Sequence, residues 1–148
     1  QICCKFNRQN YLQMKIITHM LEDELYECSN LKGHMTTIDM RKSEVKQGQS
    51  PMEVLLSSVA ACGAVDLVAM LRKRKKNVIA LTIETDGLRR EETPRAFTSI
   101  HCSYSITSSD VTEEELYKLT KLSIEKYCSV AASLQSKITF SVQIIRPE

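Results

Sequence analysis

Ser50-Pro51-Met52-Glu53-Val54-Leu55-Leu56-Ser57-Ser58-Val59-Ala60-Ala61-Cys62-Gly63-Ala64-Val65-Asp66-Leu67-Val68-Ala69-Met70-Leu71 is the stretch on which the fold turns. It opens with a helix start. Ser50 can cap the first turn, Pro51 stands where a missing N–H costs nothing, and Glu53 completes a capping box. From Val54 to Leu71 only Ser57, Ser58 and Asp66 interrupt the apolar residues, which predicts a helix buried on most of its sides. Arg72-Lys73-Arg74-Lys75-Lys76 closes the helix with cations, where its partial negative charge favours them. The same run is just long enough to cross a bilayer. Asp66, the two serines, the absence of a second such run and the amphipathic segments on either side argue instead for the core of a soluble domain.

Upstream, three short strands are expected between Lys15 and Met40. Ile16, Ile17 and Met20 fall in one run and Leu25-Tyr26-Glu27-Cys28 in another. After the turn at Gly33 comes Met35-Thr36-Thr37-Ile38-Asp39-Met40, rich in β-branched residues. Residues 41–50 read as a polar loop. Downstream, Ile79–Leu88 and Phe97–Ile106 alternate as strands, joined by the charged loop Arg89-Arg90-Glu91-Glu92-Thr93-Pro94. Thr112 and Glu115 form a second capping box, and Glu113, Glu114 and Glu115 crowd the first turn of a helix carrying Leu116, Leu119 and Leu122. A short helix from Cys128 to Leu134 and a last strand from Ile138 to Ile145 complete the order. Strands gathered in groups around helices, rather than a βαβ repeat, predict an α+β fold.

With 148 residues, 43% hydrophobic and 26% charged, the chain can build a globular core. Its net charge of +2 implies no polyanionic partner, and the basic run 72–76 lacks the aromatics of a nucleic-acid surface. Neither nucleic acid nor membrane is therefore an expected partner. Residues 1–13, with the adjacent Cys3 and Cys4, lack periodicity and read as an N-terminal extension before a single domain over 14–148. No basic stretch followed by an apolar one marks a secretion signal at the start. The six cysteines show neither paired CxxC motifs nor a Cys/His cluster, so no metal and no cofactor is expected. Free thiols in a reducing, cytoplasmic setting fit this pattern.

Glycine-rich phosphate loops and GxSxG elbows are absent, and His19, His34 and His101 are isolated in or beside strands. The cysteines become the chemical candidates. Cys62 lies midway along the apolar helix in Ala60-Ala61-Cys62-Gly63, where small neighbours let another element or a small substrate approach the sulfur. Asp66 follows one turn later on the same face, and its charge would raise the Cys62 pKa. Cys128 lies in Glu125-Lys126-Tyr127-Cys128-Ser129 between two helices. If it heads the second, backbone N–H groups and the helix dipole would lower its thiol pKa. Cys28 and Cys102 fall in strands and read as packing residues.

Ser50-Pro51-Met52-Glu53-Val54-Leu55-Leu56, followed by Ala60-Ala61-Cys62, resembles the first cysteine-bearing helix of the OsmC/Ohr family. Glu125-Lys126-Tyr127-Cys128-Ser129-Val130 resembles that family's second cysteine motif, and Arg90–Ile106 its central hairpin. The resemblance implies an OsmC/Ohr-like fold: N-terminal strands, a long buried central helix and an antiparallel sheet, intertwined in a homodimer with two equivalent interface sites. It implies a peroxidatic Cys62 that attacks an organic hydroperoxide to give a sulfenate, and a resolving Cys128 that condenses with it to a disulfide. A dithiol or lipoyl-type reductant would restore both thiols. Hydroperoxidases of the family activate the first cysteine with an arginine held by a glutamate directly after the proline. Here that position is Met52, and residues 21–33 hold no arginine. Glu53 and Asp66 are the possible supporting carboxylates, and Arg41 and Arg95 the candidate cations. Ser129 stands where the family usually has proline. The alternatives are a thiol protein with a non-peroxide substrate, or a non-enzymatic module binding a small molecule or nucleic acid.

Overall fold

The computed structural model describes residues 14–148. The expected extension over 1–13, with Cys3 and Cys4, lies outside the described residues. The chain forms two compact units, one ending at Val54 and the other running from Leu55 to Glu148.

In the first unit β1 (Ile16–Glu22), β2 (Leu25–Asn30) and β3 (Met35–Asp39) form an antiparallel meander. The β2–β3 turn uses Gly33 at φ +82°, a conformation that side chains resist. β1 is exposed along its whole length, with Ile16, Met20 and Leu21 in solvent. Asp39 ends β3 fully buried and organises the polar loop beyond it. Arg41 donates from Nε to Oδ1 at 3.0 Å and from a terminal nitrogen to Oδ2 at 2.9 Å, and the Gln47 amide donates to Oδ2 at 2.8 Å. These bonds, the Arg41 side chain first, hold the Asp39 carboxyl well below the usual range. The expected capping box at the start of the long helix forms, with the Ser50 amide donating to Glu53 Oε2 at 2.6 Å and the Glu53 amide to Ser50 Oγ at 3.4 Å.

α1 (Pro51–Lys73) runs from the end of the first unit into the second. There β4 (Ala80–Arg89), β5 (Phe97–Thr107) and β6 (Lys137–Ile145) make a sheet in the order β4-β5-β6. The antiparallel sheet expected from the sequence is corrected to a mixed one, because β5 and β6 run parallel. The chain crosses back through helices between them, so β6 enters from the same end as β5. Those helices are α2 (Glu113–Leu122), a π-helical turn (Ser123–Tyr127) and α3 (Ser129–Ala132). Thr112 caps α2 as expected, its hydroxyl accepting from the Glu115 amide at 3.2 Å.

Ile100, Cys102, Tyr104 and Ile106 point from one face of β5 into the core, where Leu116 and Leu119 of α2 are also fully or almost fully buried. α1 contributes Val59, Gly63, Leu67 and Leu71, one residue in four. The helix expected to be buried on most sides is thus buried along one stripe within this chain, and Val65 on another face is 69% exposed. One sheet can cover only one side of a helix about 10 Å across. At Gly63 the approach is so close that an added Cβ would collide with the Tyr104 hydroxyl, while the next ring atom, Cζ, would be 3.7 Å away.

Two outcomes follow for stability. Gly63→Ala should cost about 1–3 kcal/mol in chemical denaturation through overpacking. In a Tyr104→Phe background the same change should be neutral or stabilising by up to about 1 kcal/mol, since alanine is the better helix former. Equal costs in both backgrounds would rule out the hydroxyl as the obstacle. For Asp39 the folded pKa lies below the unfolded one, so its contribution is present above about pH 4 and is lost as pH falls further. Thermal melts of Asp39→Asn should lack that part of the acid limb.

Candidate functional site

Cys62 and Cys128 meet in the second unit. Cys62 projects half-buried from α1, and Cys128, 2% exposed, stands at the head of α3. The two thiols are near enough for Cys62 to contribute to the upward shift of the Cys128 pKa. Among the described residues Cys28, Cys62, Cys102 and Cys128 are free thiols.

The delivery of Cys128 is local. α2 ends in the widened turn Ser123–Tyr127, and the Cys128 amide donates to the Ser123 carbonyl at 2.8 Å. Such π-turns often mark functional sites. Cys128 then takes an extended conformation, φ −69° and ψ 100°, and its sulfur accepts from the Ala131 amide at 3.3 Å. Cys128 stands at a helix head, as expected, but its thiol pKa does not fall. The structure corrects the direction: burial pushes the Cys128 thiol up, and the Ala131 amide offsets only part of that. Removing the thiolate from water outweighs one amide dipole.

Ser123 and Tyr104 frame the pair, and sequence reading identified neither as a site residue. Ser123 Oγ donates to the Gly63 carbonyl at 2.7 Å, tying the end of α2 to α1 one residue beyond Cys62. Tyr104, 1% exposed, carries a hydroxyl with no hydrogen-bond partner. The only sequence signal for either was helical or strand spacing, which marks burial and not contact.

Glu53 is committed to Ser50 and to Lys46 at 2.8 Å, and these bonds, Lys46 first, bring its carboxyl down to about 2. Arg41 is committed to Asp39 and to Glu22 at 3.3 Å. Arg95 lies in the β4–β5 loop, where its carbonyl accepts from Arg89. Asp66 lines a cleft of about 210 Å³ with Ala69, Met70, Lys73 and Tyr127, the residue preceding Cys128. Cys28 on β2 contacts Thr18 Oγ1 at 3.4 Å, and Cys102 is fully buried in β5. Part of the basic run at the end of α1 is paired internally: Arg74 and Lys76 reach Glu115 at 3.4 and 3.2 Å. His101 bonds Thr139 and Ser141 on the outer face of the sheet.

Because Cys128 is held protonated by burial, site-resolved iodoacetamide labelling at mildly alkaline pH should find it at least about tenfold slower than in the denatured chain. Equal rates in the two states would mean that the shielding does not act.

A family model described as OsmC-like protein matches residues 43–143. Protein YhfA of Escherichia coli K12 is 34% identical over 115 residues, covering 76% of this chain and 84% of YhfA. The crystal structure of an OsmC-like protein from Mycoplasma pneumoniae superposes with a TM-score of 0.78 at 21% identity, over 90% of this chain and 97% of that one. The organic hydroperoxide resistance protein OhrB of Bacillus subtilis shares the fold at a TM-score of 0.60 and 12% identity, over 91% of this chain and 99% of its own.

Proposed function

This chain belongs to the OsmC-like protein family, and on that premise we propose that it is a thiol-dependent redox protein that reduces organic hydroperoxides. The observation that carries the reading is the meeting of two free thiols, Cys62 and Cys128, delivered by different elements. In this reading the Cys62 thiolate attacks the outer oxygen of the hydroperoxide. An S–O bond forms, the O–O bond breaks, and the peroxide leaves as an alcohol. Cys128 then attacks the Cys62 sulfenate, expelling water and forming a disulfide, which a dithiol or lipoyl-type reductant returns to two thiols. A buried, protonated Cys128 suits the second step, because its proton goes out with the water.

The assembly in this reading is a homodimer. β1 leaves Ile16, Met20 and Leu21 in solvent, and α1 leaves Val65 there. Apolar surface of this kind calls for a cover, and a second copy is the simplest one. A reducing compartment such as the cytoplasm suits the free thiols.

A second reading, with a disulfide or an acylated thiol as substrate, is favoured by Met52 and by the commitment of Arg41 to Asp39 and Glu22. Stopped-flow oxidation separates the two. Reduced wild-type protein should react with cumene hydroperoxide far faster than a free thiol, and faster than with hydrogen peroxide. Cys62→Ser should abolish that phase, and Cys128→Ser should accumulate a trappable sulfenate. Oxidation of all three proteins at the rate of a free thiol would remove the peroxide reading and leave the second.

A further inference from the structure

The Tyr104 side chain presents a problem that the thiol pair does not explain. Its ring is buried in the core on β5, yet its hydroxyl, in a residue 1% exposed, has no hydrogen-bond partner. A buried hydroxyl without a partner is destabilising, and phenylalanine would fill the same space without that cost. The fold moreover makes room for the hydroxyl, since Gly63 has no side chain where a Cβ would strike it. The adjacent backbone acceptor is already used: the Gly63 carbonyl receives the Ser123 hydroxyl at 2.7 Å, and its remaining capacity belongs to the helix ladder. The hydroxyl thus stands beside the residue following Cys62 with a proton to donate. Burial first, and then the sulfurs of Cys102, Cys128 and Cys62, push its ionisation well up, so it remains a neutral donor. No hydrogen bond joins it to any of those sulfurs, which leaves the proton for a group that arrives with the substrate.

We propose that the Tyr104 hydroxyl is the hydrogen-bond donor for the oxygen atoms that react at Cys62. This rests on the reading of Cys62 as the attacking thiolate. When Cys62 Sγ takes the outer oxygen of a hydroperoxide, the O–O bonding pair leaves with the inner oxygen as an alkoxide. The sulfur is oxidised by two electrons and the peroxide is reduced by two. The proton carried by the outer oxygen passes to the alkoxide, giving an alcohol and a Cys62 sulfenate. Negative charge therefore moves from sulfur to oxygen during the step, and an unpartnered O–H nearby favours that movement without losing its own proton. The donor is preorganised because β5 and Gly63 hold it in place before substrate arrives.

The test compares wild type with Tyr104→Phe. Oxidation of Cys62 by cumene hydroperoxide should slow by about 100-fold, as for loss of one preorganised donor, while alkylation of Cys62 by iodoacetamide stays within about twofold. The melting temperature should be unchanged or higher. Equal oxidation rates in the two proteins would overturn the assignment, and so would a parallel loss of alkylation, which would mark a structural role. If wild type itself reacts with the hydroperoxide no faster than a free thiol, the peroxide reading fails and the donor is tested separately. A sulfenate is then made in Cys128→Ser with excess hydrogen peroxide and captured with dimedone, with and without Tyr104→Phe. A change in capture rate of about fivefold or more supports the donor, and equal rates exclude it.

Discussion

The close approach of α1 to β5 at Gly63 governs the second unit. Without a side chain at that position, the helix can lie against the end of the Tyr104 ring. Ser123 fixes the third side by donating to the Gly63 carbonyl. Helix, strand and π-turn are thus joined within a few ångströms. Cys62 is one residue before the glycine, and Cys128 is five after the serine. The two sulfurs meet because these three elements do.

The environments of the two thiols differ in a way that bears on chemistry. Cys62 remains half-buried, open enough for a substrate, whereas Cys128 is shielded and kept protonated by burial. One amide from the head of a four-residue helix does not reverse the cost of taking a thiolate out of water. A helix cap therefore orients this sulfur more than it acidifies it. The division between an accessible and a protected thiol fits the two roles proposed for them.

The apolar surface follows from the same geometry. α1 buries the Val59-Gly63-Leu67-Leu71 stripe, with Gly63 against Tyr104 of β5, and its other apolar faces remain in contact with solvent in a single chain. By length and hydropathy the helix would even pass as a membrane span. Its buried stripe gives the sequence pattern another source: a helix apolar on every side is one that several elements cover, and this chain supplies only some of them.

Local interactions were legible from the sequence. The Ser50–Glu53 box, the Thr112 cap, the strand alternation on β4 and β5, the turn at Gly33 and the placing of Cys128 at a helix head each depend on residues within a few positions of one another. Family membership was legible too, because its cysteine motifs are short and contiguous. Other features were decided only when distant segments met. The parallel pairing of β6 depends on the path of the crossover, and the stripe on α1 on which face the sheet takes. The upward direction of the Cys128 shift depends on burial by the whole unit, and the idle hydroxyl of Tyr104 on a glycine 41 positions earlier in the chain. Spacing along a chain fixes which residues can face one way, but burial and contact are properties of packing, and packing is set by partners that no local pattern names.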